Sequence, residues 1–149
     1  MERCLRATMN SPTTGLILSP EHWAQMEADI SSRMDEEACG LILGTGNHSR
    51  LVVPITNILH DPHRFRMDAQ EELSAFLIAD EKGWEILAVY HSHPHGIDSP
   101  SPTDVAELTF PGIFYLIWYQ ADHAWNCRGY LMERDIDISE IPVRVSTDE

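Results

Sequence analysis

Cysteine is scarce in this chain. Cys4, Cys39 and Cys127 are odd in number, far apart and form no C-x-x-C pair. That excludes a disulfide framework and a thiolate zinc site, and it fits a reducing cytoplasm. Positive charge is scarce too: ten Lys and Arg stand against 24 Asp and Glu, for a formal net charge of −14. Such a surface repels phosphate backbones and anionic membranes, so neither nucleic acid nor membrane is an expected partner. A protein with a basic face would suit it better. Long apolar runs are also missing, and nothing approaches the roughly 18 residues of a membrane span. The opening MERCLRATMNSPTT lacks the apolar stretch of a secretory signal. It reads as a loose leader over residues 1–14, with Met9 as an alternative start, and the expected location is cytoplasmic.

The rest of the 149 residues carries enough periodic pattern for a single core, placed at 15–149. Gly15–Leu18 is a short apolar strand. Ser19-Pro20 gives an N-cap followed by proline at the first helical position. Trp23, Met26, Ile30 and Met34 then recur at helical spacing through about Arg33. Ala38–Leu43 and Leu51–Ile55 are apolar strands around Gly44-Thr45-Gly46-Asn47. His60–Arg66 is a polar loop or edge strand. Asp68 and Glu71 resemble a capping box, opening a second helix that ends near Gly83 and is expected to bury Leu73, Phe76 and Leu77. Glu85–Tyr90 is a continuous apolar strand, and Ser101-Pro102 opens a short helix. Ile113–Tyr119, Ala124–Met132 and Ile136–Val145 close the chain as three strands. The expected fold class is α/β, one domain with a mixed β-sheet flanked by helices.

The chemistry is concentrated in Tyr90-His91-Ser92-His93-Pro94-His95-Gly96-Ile97-Asp98-Ser99-Pro100-Ser101-Pro102-Thr103-Asp104. His91 and His93 are two apart at the end of a strand, so period two puts both imidazoles on one face, where they can share a metal. The Gly/Pro/Ser-rich loop can reverse the chain, and Asp104 follows at the third position of the next helix, able to point back. Asp104 would be an ordinary N3 carboxylate in any case, and a helix start is a rigid way to present a ligand. Two histidines and one carboxylate leave a fourth position open, the catalytic pattern for zinc, which lowers the pKa of water to about 7 there. Iron in two-His-one-carboxylate oxygenases uses the same set, so metal analysis must separate the two.

A carboxylate outside this segment must act as the base. Asp35-Glu36-Glu37-Ala38-Cys39-Gly40-Leu41 leads into an apolar strand and supplies candidates, though spacing does not separate Glu36 from Glu37. His95 follows the histidine pair directly but is assigned to the cleft wall or to solvent, because a fourth protein ligand would close the site. Ser92 is read as bonding backbone, and Cys39 as a small buried residue.

The string H-S-H-P, six residues, S-x-x-D, with E-x-C-G-L upstream, resembles the signature of JAMM metalloproteases, the catalytically competent MPN domains. It matches at Glu37, Cys39, Gly40, Leu41, His91, Ser92, His93, Pro94, Ser101 and Asp104. The rest of the chain is similar to the short stand-alone prokaryotic members over about residues 15–145. The resemblance implies Zn2+ on His91, His93 and Asp104, Glu37 as general base and acid, and Ser101 steadying the oxyanion. It also implies a metallo-isopeptidase acting after the C-terminal Gly-Gly of a ubiquitin-like or sulfur-carrier β-grasp protein. Such a tail could add to a sheet edge around Phe65–Met67 or in the 94–100 loop. The alternative is a non-catalytic or partner-activated MPN scaffold, which typically lacks one or more of these residues.

Overall fold

In the computed structural model, residues 15–133 and 137–147 are described; the expected leader lies outside them. The element order is β1 (Leu16–Leu18), α1 (Pro20–Ser31), β2 (Cys39–Thr45), β3 (His48–Ile55), α2 (Ala69–Lys82), β4 (Glu85–His93), α3 (Pro102–Ala106), β5 (Phe114–Ala121), β6 (Ala124–Glu133), β7 (Asp137–Ile141) and β8 (Val143–Val145). The strands form one sheet in the order β7-β6-β5-β4-β2-β3-β1-β8. β4 and β5 are parallel neighbours, as are β3, β1 and β8, and the other pairs are antiparallel. The mixed sheet expected from the sequence is therefore borne out.

The sheet has a helix on each face. Ser19 caps α1 by accepting from the His22 N–H at 3.1 Å. Met26 and Ile30 of α1 then pack with Leu16, Ile42, Ala88, Tyr90, Leu116 and Trp118. Each of those two helix side chains is fully buried, worth on the order of 2 kcal/mol. The opposite face holds Leu41, Leu43, Ile55, Ile86, Val89 and Tyr115 against Ala75 and Ala79 of α2. Central strand β4 is buried nearly throughout, as a strand between two layers must be. Among the described residues no helix is long and apolar enough to cross a membrane.

Four details differ from the sequence reading. α2 does not bury Leu73 and Leu77, which are 45% and 57% exposed. It docks through Ala75 and Ala79, whose small side chains let the helix axis come close to the sheet, and Phe76 is only partly buried. The capping box is half formed: Asp68 accepts from the Glu71 N–H, but the Glu71 carboxylate bonds Thr56 N and Oγ1 at 2.7 and 2.9 Å. Met34 is 44% exposed, because α1 stops at Ser31. The last predicted strand is two, β7 and β8, separated by Pro142 and set at opposite ends of the sheet order. Proline cannot donate to a ladder, while its carbonyl accepts from Leu16 N at 3.0 Å. One residue thus joins the two ends, and Ile141 and Val143 pack with Leu16 and Leu18 in the same core. The sheet is rolled until its ends meet.

Candidate metal centre

β4 runs three residues past the predicted Tyr90 because its ladder continues on both sides. His91 is opposite Cys39 of β2 and Ile117 of β5, and His93 is opposite Tyr119. Both imidazoles share the α2 face with Val89, as period two requires. After His93 the chain reverses, with Gly96 N bonding His93 O at 3.0 Å, and Ser101 starts α3. Ser101 Oγ accepts from Asp104 N at 3.0 Å, and Ser101 N donates to Asp104 Oδ2 at 2.9 Å. This reciprocal cap fixes Asp104 and aims it at the histidines.

The three side chains converge atom by atom. His91 Nε2 and His93 Nε2 lie 3.1 Å apart, and Asp104 Oδ2 is 3.2 and 3.0 Å from them. Tetrahedral ligands at bond lengths of about 2.0–2.1 Å stand roughly 3.3 Å from one another, so these atoms fit one metal ion. The His93 Nδ1–H donates to Ile97 O at 2.9 Å, which leaves a bare lone pair on Nε2. Glu37 completes the group: its Oε2 is 4.0 Å from His93 Nε2. One ligand-type atom from each of Glu37, His91, His93 and Asp104 falls within 4.8 Å of the others, and all four residues are buried. Glu37 Oε1 is buried without a hydrogen-bond partner among the described residues.

Glu36, which spacing alone left open, points away. It pairs with His60 Nδ1 at 2.8 Å and with Arg33 at 3.8 Å. Burial, then the like charges of Asp104, Asp61 and Glu107, push the Glu37 carboxyl up to about 9. A dication nearby acts in the opposite sense. Burial would also raise Asp104, but the charge and hydrogen bond of His91 and the Ser101 N–H hold it well below the usual carboxylate range. Burial pushes the Cys39 thiol up to about 12, which fits a small buried residue and not a nucleophile. His95 is exposed, its ring 5.3 Å from that of His63.

The family model for prokaryotic homologs of the JAB domain matches residues 19–128. The chain belongs to this family. Among relatives, this JAB protein is 31% identical to the CysO-cysteine peptidase of Mycobacterium tuberculosis, over 74% of this chain and 77% of that one. It is 26% identical to the desampylase of Pyrococcus furiosus, over 87% and 90%. A Desulfitobacterium hafniense protein solved in solution superposes with a TM-score of 0.79 at 28% identity, over 88% of this chain and 92% of that one.

In this JAB protein a cavity of about 350 Å³ lies beside the candidate metal centre, bounded by Phe65, Met67, Val89, His91, Asp104 and Phe110 among others. The Phe65 ring packs against His91 with centroids 4.7 Å apart. Ser92 bonds backbone, as expected: its Oγ accepts from Ala38 N at 2.9 Å, and its N–H donates to Ala38 O. Sequence reasoning missed the supports of the JAB site, namely Asn57, Asp61 and the Ile97 carbonyl, and it named Phe65 only as part of a tail-binding edge. Only Asn57 left a trace, a polar residue two positions after the apolar strand Leu51–Ile55.

Proposed function

We propose that this JAB protein is a zinc metallo-isopeptidase that hydrolyses the amide after the C-terminal Gly-Gly of a ubiquitin-like or sulfur-carrier β-grasp protein. The observation that carries the reading is the convergence of Glu37, His91, His93 and Asp104 within 4.8 Å. The nitrogen and oxygen donors suit zinc, which polarises a carbonyl and acidifies water when bound. His91, His93 and Asp104 would hold it. Glu37 is not tied up by another side chain, so its carboxylate can take a proton from water and deliver it to the leaving nitrogen. A base in a dry position next to the reacting atoms is a general acid in the following step. Ser101 Oγ accepts from Asp104 N, which leaves its own proton to donate to the oxyanion.

The segment around Phe65–Met67 suits a tail-binding edge. Ile58 N bonds Arg66 O at 2.9 Å and Asp68 N bonds Thr56 O at 3.0 Å, so this short antiparallel pair turns the backbone groups of Phe65 and Met67 outward. An extended Gly-Gly tail could add there as a strand. The names of the relatives, a desampylase and a CysO-cysteine peptidase, support a conjugate as the substrate.

The test is hydrolysis of a Gly-Gly-terminated β-grasp protein fused to a short peptide, by wild type and Glu37→Gln, with zinc quantified in both. Cleavage after Gly-Gly by wild type alone, at equal zinc, is the expected result. No cleavage at one zinc per chain would favour the non-catalytic or partner-activated scaffold.

A further inference from the structure

Asn57 follows β3 and is fully buried. Its amide is saturated. Nδ2 donates to Glu37 O at 3.0 Å and to Arg64 O at 3.1 Å, while Oδ1 accepts from Leu59 N at 3.0 Å and Arg66 N at 3.1 Å. A buried side chain that uses all four of its hydrogen bonds has one orientation, and it fixes the groups it holds. Glu37 N donates to Asp61 O at 2.9 Å. Both backbone polar groups of Glu37 therefore end on the segment 57–67. That segment also carries Phe65, which packs on His91, and Arg64, Arg66 and Met67, which line the cavity.

The Glu37 carboxylate has no comparable anchor. Its Oε1 is without a partner among the described residues and its Oε2 stands 4.0 Å from His93 Nε2. Its position is set by the backbone that bears it. We infer that Asn57 is a positioning residue for the base, holding Glu37 and the cavity-wall segment in register with the metal ligands. The catalytic part of this inference rests on the proposed function.

The experiment is Asn57→Ala, read by steady-state kinetics on the Gly-Gly fusion and by amide hydrogen exchange. If that variant does not fold, Asn57→Ser, which keeps a hydroxyl, takes its place. The kcat should fall by about 10²-fold at unchanged metal content, with KM changing much less. In a Glu37→Gln background the added substitution should lower the residual rate no further, whereas a merely structural residue would not single out the base. Exchange of the Glu37 amide and of the 58–67 amides should quicken by about tenfold or more while α1 and β4 stay protected. A folded, metal-loaded variant with kcat within about threefold of wild type, or with unchanged exchange at Glu37, overturns the inference. If metal-loaded wild type cleaves nothing, the proposed function fails, and hydrogen exchange still decides whether Asn57 fixes Glu37.

Discussion

Glu37 has two effects that substitution can separate, one on turnover and one on stability. Burial pushes its carboxyl up to about 9 in the folded state, against 4.5 for the free group. Between those values the folded, metal-free protein holds a proton that the unfolded chain has released, so stability falls as pH rises across that window. Glu37→Gln removes the penalty. Without metal, the variant should be more stable than wild type near pH 8, with the gap closing toward about pH 5. Urea melts at the two pH values check this, and bound metal should shrink the gap. Asp104 and Ser101 divide differently despite their shared cap. Asp104→Ala should lose the metal outright, measured by metal analysis after desalting. Ser101→Ala should keep it, lose about 10²–10³ in kcat and lose about 1 kcal/mol of helix capping. The spacing of His91, His93, Ser101 and Asp104 was legible because strand period and cap position are local rules. The choice of Glu37 over Glu36 was legible only through the E-x-C-G-L signature, and the role of Asn57 was not legible. Both depend on where α1 delivers Arg33 and where the segment 57–67 folds back, which no periodicity encodes.

At the scale of elements, α2 separates hydrophobicity from burial. Its leucines Leu73 and Leu77 would dominate any apolar stripe, yet Ala75 and Ala79 make the contact. Close approach of the helix to the sheet rewards small side chains there, and the sequence pattern alone cannot rank that gain against the larger apolar area of leucine. Leu77→Ala should therefore cost less than about 0.5 kcal/mol. Ala79→Leu, which overfills a zero-exposure contact, should cost about 1–3 kcal/mol. Thermal melts of the two variants test the assignment of the faces. By contrast, α1 was readable at its start from Ser19-Pro20, because a cap and an N1 proline act within one turn. The site inherits its rigidity from β4. It is held by β2 on one side and β5 on the other through His91.

For the whole molecule, the candidate metal ligands sit at the end of central strand β4, and other residues form the two cores of the sheet. Chelation should abolish turnover, leave the far-ultraviolet circular dichroism unchanged and lower Tm. Added zinc should restore both Tm and activity, with the shift growing as zinc exceeds its dissociation constant. A collapse of secondary structure on chelation would instead make the metal part of the fold. The class of fold was readable from alternating strand and helix patterns. The rolling of the sheet was not, because it depends on Pro142 ending one edge strand and beginning the other.

That junction also decides how the molecule bears load. β1 and β8 run parallel, with Leu16 opposite Val143, Ile17 opposite Arg144 and Leu18 opposite Val145. Beyond these rungs, Leu16 N bonds Pro142 O and Ser146 N bonds Leu18 O. A pull on the start of β1 against the end of β8 slides these strands along each other, so the rungs share the force and must break together. Pulling at neighbouring ends would instead peel them one by one. Tension applied across Leu16 and Val145 would therefore meet a shear clasp, separated from the histidines of β4 by β2 and β3.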